Sequence, residues 1–151
     1  MNKESIFGRE LARNERGGVL IEFAILAPAI IALMMGVFQM GVQLQNVNAL
    51  RSISSDGARY AVVEYQKDNA ITPASIETAI EQIATAAPYY LEASRLSVDV
   101  DPVDIGRVAG AEEYAIKLKY NAPNFLKVID QEEFDIDYER PLFVVPPEAE
   151  E

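Results

Sequence analysis

The chain has 151 residues and a formal net charge of −11, and it contains no cysteine, histidine or tryptophan. A chain of this length has room for one small domain. The lack of cysteine and histidine removes thiol nucleophiles, the commonest general base and the commonest zinc ligands. Any catalysis would therefore depend on carboxylates alone.

The acidic residues are concentrated towards the C-terminus. Of the 13 basic and 24 acidic residues, four basic and three acidic ones lie within residues 1–17, and one acidic residue lies within 18–50. Residues 51–151 therefore hold the other nine basic and 20 acidic residues. Because a domain with this excess of acidic residues repels phosphate groups, nucleic acid is excluded as a partner.

Residues 1–17 are predicted to be a cytoplasmic leader, and residues 18–44 a transmembrane helix. No charged residue occurs between Phe23 and Leu50, and about 20 apolar residues suffice to cross the hydrocarbon layer. A signal peptide has a shorter apolar stretch of roughly 7–15 residues. Basic residues before the span predict a single-pass protein of the inner membrane, with a cytoplasmic N-terminus and a periplasmic or extracellular C-terminal head.

Three residues of the predicted span favour packing against other helices. Pro28 cannot donate its backbone hydrogen bond, and a neighbouring helix in a bundle compensates for this loss. Gly36 and Gly41 provide points where another helix can approach closely. Beyond the span, residues 45–65 continue the helical pattern as an extracytoplasmic stalk, with one face formed by Val47, Leu50, Gly57, Ala58, Ala61 and Tyr65.

Residues 66–145 are predicted to form a small α+β head. Thr72 followed by Pro73 indicates the start of a short second helix. The period then changes to two, which predicts three antiparallel strands with one buried face each. Their apolar positions are Leu96, Val98 and Val100, then Tyr114, Ile116, Leu118 and Tyr120, then Phe134, Ile136 and Tyr138.

The charges on the outer faces of these strands predict a register. An antiparallel meander with the basic strand in the middle can place Asp99 opposite Lys119 and Asp101 opposite Lys117. It can also place Lys117 opposite Asp137 and Lys119 opposite Asp135. Such cross-strand pairs contribute roughly 0.2–1 kcal/mol each.

The remaining features of the head predict no site for a metal or another cofactor. Asp99, Asp101 and Asp104 are spaced as D-x-D-x-x-D, but they lack the glycine and the terminal glutamate of a calcium-binding loop. A solvated strand face is the preferred interpretation. Residues 146–151, PPEAEE, are predicted to be a disordered acidic tail.

Glu22 is the only charged residue at the start of the apolar segment. A carboxylate fully inside lipid costs roughly 2.5–3.5 kcal/mol, which favours a functional role for it. The alternative is that Glu22 lies at the cytoplasmic interface, where it is solvated and inert.

The residues around Glu22 resemble a class III prepilin processing site. Arg16, Gly17 and Gly18 precede a glutamate that is followed by Phe23. The resemblance implies cleavage between Gly17 and Gly18 by a membrane aspartyl peptidase, which makes Glu22 the fifth residue of the mature chain. The doubled glycine leaves cleavage after Gly18 as an alternative.

The blocks ERGGVLIEFAILAPAI and SSDGARYAVV together resemble the TadE-like family of minor pseudopilins of the tight-adherence (Flp) type IV pilus system. The resemblance implies a pilin-like fold with a long N-terminal helix. It also implies that the protein takes part in assembling Tad pili for surface adherence. Its partners would be a prepilin peptidase, other pilins and pseudopilins, and the pilus assembly platform in the inner membrane.

The resemblance also implies that the protein is a peptidase substrate and not an enzyme, so no catalytic residue is assigned. Glu22, with Phe23 beside it, would be the charge partner of the new N-terminus. The main alternative is an uncleaved, signal-anchored extracytoplasmic binding or scaffold protein. A catalytic carboxylate pair in the head is a more distant alternative.

Overall fold

The computed structural model describes residues 15–67, 71–104, 106–125 and 134–145. The elements are α1 (Glu15–Gln66), α2 (Pro73–Thr85), β1 (Leu96–Pro102), β2 (Glu112–Ala122) and β3 (Phe134–Val144), with a short 3₁₀ helix at Ala93–Arg95. The predicted α+β fold, with a long first helix, a short second helix and three antiparallel strands, is confirmed. The predicted tail at 146–151 and most of the predicted leader lie outside the described residues.

The chain divides into two compact units, of which the first ends at Met40 and the second begins at Gly41. In the first unit, large apolar side chains of α1 are exposed, among them Val19, Phe23, Leu33 and Phe38. The helix is long and apolar enough to cross a membrane. This pattern fits a single N-terminal membrane anchor.

The part of α1 within the second unit buries one face in the core of that unit. Leu50, Ile53, Ala58 and Ala61 share a hydrophobic cluster with residues of α2 and of the sheet. Four of the six residues predicted for this face are buried, and Val47 and Tyr65 are partly buried. The predicted helical periodicity is therefore correct here, and the buried face packs against α2 and the sheet.

The contact between α1 and α2 depends on a glycine. A Cβ atom on Gly57 would clash with Cγ1 of Ile80, whose side chain is fully buried. Real side chains do not approach so closely, so any larger residue would push the two helices or the Ile80 side chain apart. Gly57 thus allows α2 to pack closely against α1.

The start of α2 is fixed by its N-terminal sequence, as predicted. Thr72 is the N-cap, and its side-chain oxygen accepts the backbone N–H of Ser75 at 3.2 Å. The Ser75 hydroxyl in turn accepts the backbone N–H of Thr72 at 2.9 Å. Pro73 occupies the first turn, where a missing N–H removes no helical hydrogen bond.

The sheet has the order β1-β2-β3, so the basic strand lies in the middle, as predicted. The predicted register is wrong by two residues on both sides of β2. Asp99 lies opposite Lys117, and Lys117 lies opposite Glu139. A shift by two residues leaves every side chain on the same face, so the alternation in the sequence cannot detect it.

Two of the predicted charge pairs nevertheless form, along the diagonals of the sheet. Lys117 contacts Asp101 at 2.9 Å and Lys119 contacts Asp135 at 3.0 Å. Diagonal neighbours lie about 7–8 Å apart, which a lysine side chain can span. All four side chains are about half exposed, so each pair contributes at most about 1 kcal/mol and does not set the register.

The outer edge of β1 is covered by α2. The backbone N–H of Val100 donates to the Glu77 carboxylate at 3.0 Å. This bond satisfies a strand donor that has no partner within the sheet. The inner face of the sheet meanwhile packs Val98, Val100, Ile116 and Leu118 into the hydrophobic cluster.

A buried carboxylate holds the loop between β1 and β2. The side chain of Glu113 is 1% exposed and accepts the Arg107 backbone N–H at 2.8 Å and the Arg107 Nε–H at 2.7 Å. These hydrogen bonds hold the pKa of Glu113 below its ordinary value. The stabilisation is therefore present above the ordinary carboxyl pKa and is lost as the pH falls through the folded-state pKa.

Replacing Gly57 with alanine is expected to destabilise the second unit. Overpacking against Ile80 costs about 1–3 kcal/mol, which exceeds the gain of about 0.5–1 kcal/mol from the better helix former. Urea unfolding of the full chain in detergent, followed by near-ultraviolet circular dichroism, measures the change.

The matched control is Gly41→Ala, because a Cβ at Gly41 meets no atom within 4 Å. We expect Gly41→Ala to unfold like the unsubstituted chain or slightly later. In an Ile80→Ala background the Gly57→Ala penalty should disappear. Equal effects of the two glycine substitutions would refute a close contact at Gly57.

Candidate processing and assembly site

The two candidate cleavage residues lie near the start of the described part of α1, which runs from Glu15 to Gln66. Each glycine lowers helix stability by about 1 kcal/mol relative to alanine. The peptide bond between Gly17 and Gly18 therefore lies in a short segment that opens at lower cost than the alanine-rich helix that follows it.

Glu22 and Phe23 lie one turn further along the helix, and both are exposed. Phe23 is 66% exposed, and its apolar neighbours Val19, Leu20 and Ile21 are exposed to a similar extent. No described residue forms an ion pair with Glu22. The carboxylate is thus held on an otherwise apolar helix surface and is accessible to a charged group of another molecule.

The helical spacing places small residues on the same side of α1 as Glu22. At about 100° per residue, Gly18, Ala29 and Gly36 all lie within about 40° of Glu22 around the helix axis. A Cβ atom on Gly18 or Gly36 would meet nothing within 4 Å. A second helix could therefore approach α1 most closely along the face that carries Glu22.

The other two candidate packing residues lie on different sides of the helix. By the same spacing, Gly41 is about 100° from Glu22 and Pro28 about 120° from it in the opposite sense. Pro28 lies inside the continuous helix α1. The three candidate residues Pro28, Gly36 and Gly41 therefore do not form one packing surface, and only Gly36 shares a face with Glu22.

The second block singled out in the sequence, SSDGARYAVV, has a packing role within the second unit. Ser54 is fully buried, and its hydroxyl donates to the Arg51 carbonyl at 2.9 Å. Gly57 makes the close approach to Ile80, and Ala58 and Ala61 are buried. This block of α1 therefore packs against α2 and contributes to the hydrophobic core of the second unit.

A shallow groove of about 340 Å³, which no sequence pattern indicated, lies between α1 and the end of α2. Asp56 and Tyr60 line it from α1, and Pro88 and Tyr89 from the turn after α2. The Tyr89 hydroxyl donates to the Asp56 carboxylate at 2.9 Å. Burial and this hydrogen bond raise the pKa of Tyr89. The two residues are 33 positions apart, so no local pattern could connect them.

The acids of the sheet are spread over its outer face. Asp99, Asp101 and Asp135 are exposed, and two of them bind lysines of β2. Within the described ranges, no group of three or more acidic residues is arranged to hold a metal ion. The described acids of the sheet therefore lie on an open surface.

Comparison with known protein families supports the interpretation of the N-terminal segment. Residues 17–59 match the family model described as TadE-like protein, which confirms the resemblance. The match covers the first block from Gly17 and the second block up to Arg59, and it ends before α2 and the sheet. Searches of curated proteins and of solved structures found no match.

Two introduced cysteines test the membrane anchor. Because the chain has no cysteine, Leu33→Cys and Ser52→Cys each provide a unique thiol at an exposed position of α1. In open membrane fragments, a charged maleimide should label Ser52→Cys at once and Leu33→Cys only after detergent is added. Equal labelling of both thiols without detergent would show that residue 33 is not in lipid.

Proposed function

We propose that this chain is a minor pseudopilin of the Tad (Flp) type IV pilus system, processed by a prepilin peptidase and taking part in pilus assembly for surface adherence. One observation carries the proposal. The TadE-like match begins at Gly17, the residue after which cleavage is expected, and it includes Glu22 and the whole apolar segment. The partners in this account are the peptidase, other pilins and pseudopilins, and the assembly platform of the inner membrane.

The two adjacent glycines at positions 17 and 18 favour cleavage there. A peptidase must reach the peptide bond from both sides, so the helix has to open locally before it is cut. Two consecutive glycines reduce the cost of this opening. The rest of α1 can remain helical in the membrane during this step.

Cleavage would create a new positive charge with which Glu22 can form an ion pair. The new ammonium group of Gly18 would lie four residues before Glu22, which is one helical turn away on the same face. A positive charge at a helix N-terminus is unfavourable, and a nearby carboxylate offsets it. In an assembly, the amine of a neighbouring chain can take the same place.

A pair at the membrane surface would couple cleavage to assembly. An unpaired carboxylate is costly to move into an apolar environment, whereas a hydrogen-bonded pair offsets part of that cost. Uncleaved chains have no amine at this position and so could not form the pair. The small residues Ala29 and Gly36 on the same face would allow the partner helix to pack alongside.

The distribution of charge supports a cytoplasmic N-terminus in the inner membrane and an outer C-terminal head. Four basic residues lie within residues 1–17, and the acidic excess follows the apolar segment. Basic residues remain on the cytoplasmic side during membrane insertion. In this orientation the sheet and α2 would lie on the periplasmic or extracellular side.

Processing is tested by the intact mass of the protein. When it is co-expressed with its prepilin peptidase and extracted from membranes, the chain should lack residues 1–17 and begin at Gly18. A chain that begins at Val19 would instead place the cut after Gly18. Gly17→Asp should block the cut, because the larger charged side chain would occupy the position before the scissile bond. A full-length chain in the presence of active peptidase would refute processing.

The role of Glu22 is tested by pilus formation. Glu22→Gln keeps the size of the side chain and removes its charge, so we expect cleavage and membrane insertion to persist while pili fall by at least tenfold. Glu81→Gln is the matched control, because Glu81 is an exposed carboxylate of α2, away from the apolar segment. Normal piliation with Glu22→Gln would favour the uncleaved, signal-anchored scaffold, in which Glu22 is only interfacial.

A further inference from the structure

The two edges of the sheet differ in how they are covered. On the β1 side, Glu77 of α2 accepts the outward N–H of Val100. On the β3 side, no strand among the described residues pairs with the outer edge. β3 is 11 residues long, so this edge offers a long row of backbone groups for a further strand.

The direction of each backbone group follows from three observations. Val100 directs its N–H away from β2, towards Glu77, whereas Val103 donates to the Glu113 carbonyl at 2.8 Å. The odd-numbered residues of β1 therefore form their backbone hydrogen bonds with odd-numbered residues of β2. The even-numbered residues of β2 then direct their N–H and C=O groups to the other side, where they bond to even-numbered residues of β3. It follows that Asp135, Asp137 and Glu139 direct their N–H and C=O groups to the outer edge.

Pro141 supports this assignment independently. It lies opposite Ala115 and has no N–H, and proline is tolerated in an edge strand where that N–H would have pointed away from the sheet. Pro141 is separated from Asp137 and Glu139 by an even number of residues, so the backbone nitrogens of all three face the outer edge. Before Pro141, the edge therefore presents outward donors at residues 135, 137 and 139, and these pair with no described residue.

The side chains along this edge are acidic on one face and apolar on the other. Asp135, Asp137 and Glu139 are exposed on the outer face, and Ile136 and Tyr138 are only partly buried on the inner face. Lys117 binds Asp101 of β1, although Glu139 lies directly opposite it. Lys119 likewise binds Asp135, although Asp137 lies directly opposite it. Asp137 and Glu139 consequently form no direct ion pair with a described residue, although the two lysines attract them at longer range.

Charge disfavours the two simplest occupants of this edge. A second copy of β3 added antiparallel about Asp137 would place Asp137 opposite Asp137 and Asp135 opposite Glu139, and like charges directly opposite are destabilising. The C-terminal residues 146–151 contain three glutamates and two prolines. They would therefore add further negative charge, and the two prolines would supply no backbone donors to the ladder.

We propose that the outer edge of β3 binds an extended segment of another protein in which basic residues alternate with apolar ones. The segment adds a fourth strand to the sheet, antiparallel to β3, so that each basic residue exchanges backbone hydrogen bonds with the acidic residue opposite it. Its basic side chains lie opposite Asp135, Asp137 and Glu139, in the way that Lys117 and Lys119 already lie between the acids of β1 and β3. Its apolar side chains extend the inner layer beside Ile136 and Tyr138. The interaction uses residues outside the TadE-like match and does not depend on cleavage.

The test uses the full chain in detergent micelles and a fluorescent seven-residue peptide, in which three lysines alternate with two valines between threonine ends. Anisotropy should report binding that weakens with salt, and the amides of Asp135, Asp137 and Glu139 should become protected from hydrogen exchange. A peptide with glutamates in place of lysines should not bind. Methylating the lysine backbone nitrogens, which face β3, should abolish binding, whereas methylating those of the valines should not.

Substitutions in the protein separate charge from backbone pairing. Asp137→Asn removes one charge and should weaken binding several-fold. Asp137→Pro also removes an outward N–H, leaving the ladder to β2 intact, and should weaken binding by about tenfold or more. Asp99→Asn is the matched control, because Asp99 is an acid of the same outer face on β1. Its effect should be less than twofold.

Four results would overturn the proposal. They are absence of binding, equal binding of the lysine and glutamate peptides, protection of amides elsewhere in the sheet, and protection of the β3 amides that rises with protein concentration alone. The last result would identify a second copy as the occupant. If Asp137→Pro unfolds the sheet, the two methylated peptides still decide whether the backbone of β3 is the binding edge.

Discussion

The second unit of this protein depends on the close approach of α1 and α2 at Gly57. With no side chain at that position, the buried Ile80 can lie directly against the backbone of α1. This contact places α2 where Glu77 reaches the edge of β1. The same long helix is exposed and apolar in its first half, so one element meets two requirements, an apolar surface at its start and a packed core near its end.

Much of the fold could be predicted because each element carries a local signal. Thr72 and Pro73 define the start of α2, and the alternation around Val98, Ile116 and Ile136 defines the strands. The central position of β2 followed from its two lysines. The register could not be predicted, because pairing Asp99 with Lys117 or with Lys119 leaves the same residues buried. The choice depends on how whole rows of buried side chains fit together, which no pair of charges determines.

The candidate site could be proposed from the sequence because its residues all lie within one short segment of the first helix. Gly17, Gly18, Glu22 and Phe23 are close in the chain, and the match to the TadE-like family covers them. Features formed by distant residues gave no such signal. The bond between Tyr89 and Asp56 joins positions 33 residues apart, and the direction of the outer groups of β3 required the structure of the whole sheet. Gly57 is an intermediate case, since its block was recognised but its partner Ile80 was not.

The central claim is that Glu22 pairs with the amine that cleavage exposes at Gly18. A zero-length carbodiimide cross-link between these groups tests it most directly, in assemblies made from a mixture of ¹⁴N- and ¹⁵N-labelled chains. The account predicts an amide that joins the N-terminal glycine to Glu22, and the isotope pattern shows whether the two groups belong to one chain or to neighbouring chains. Cross-links from Glu22 to lysines alone, or N-terminal peptides that still contain residues 1–17, would contradict it.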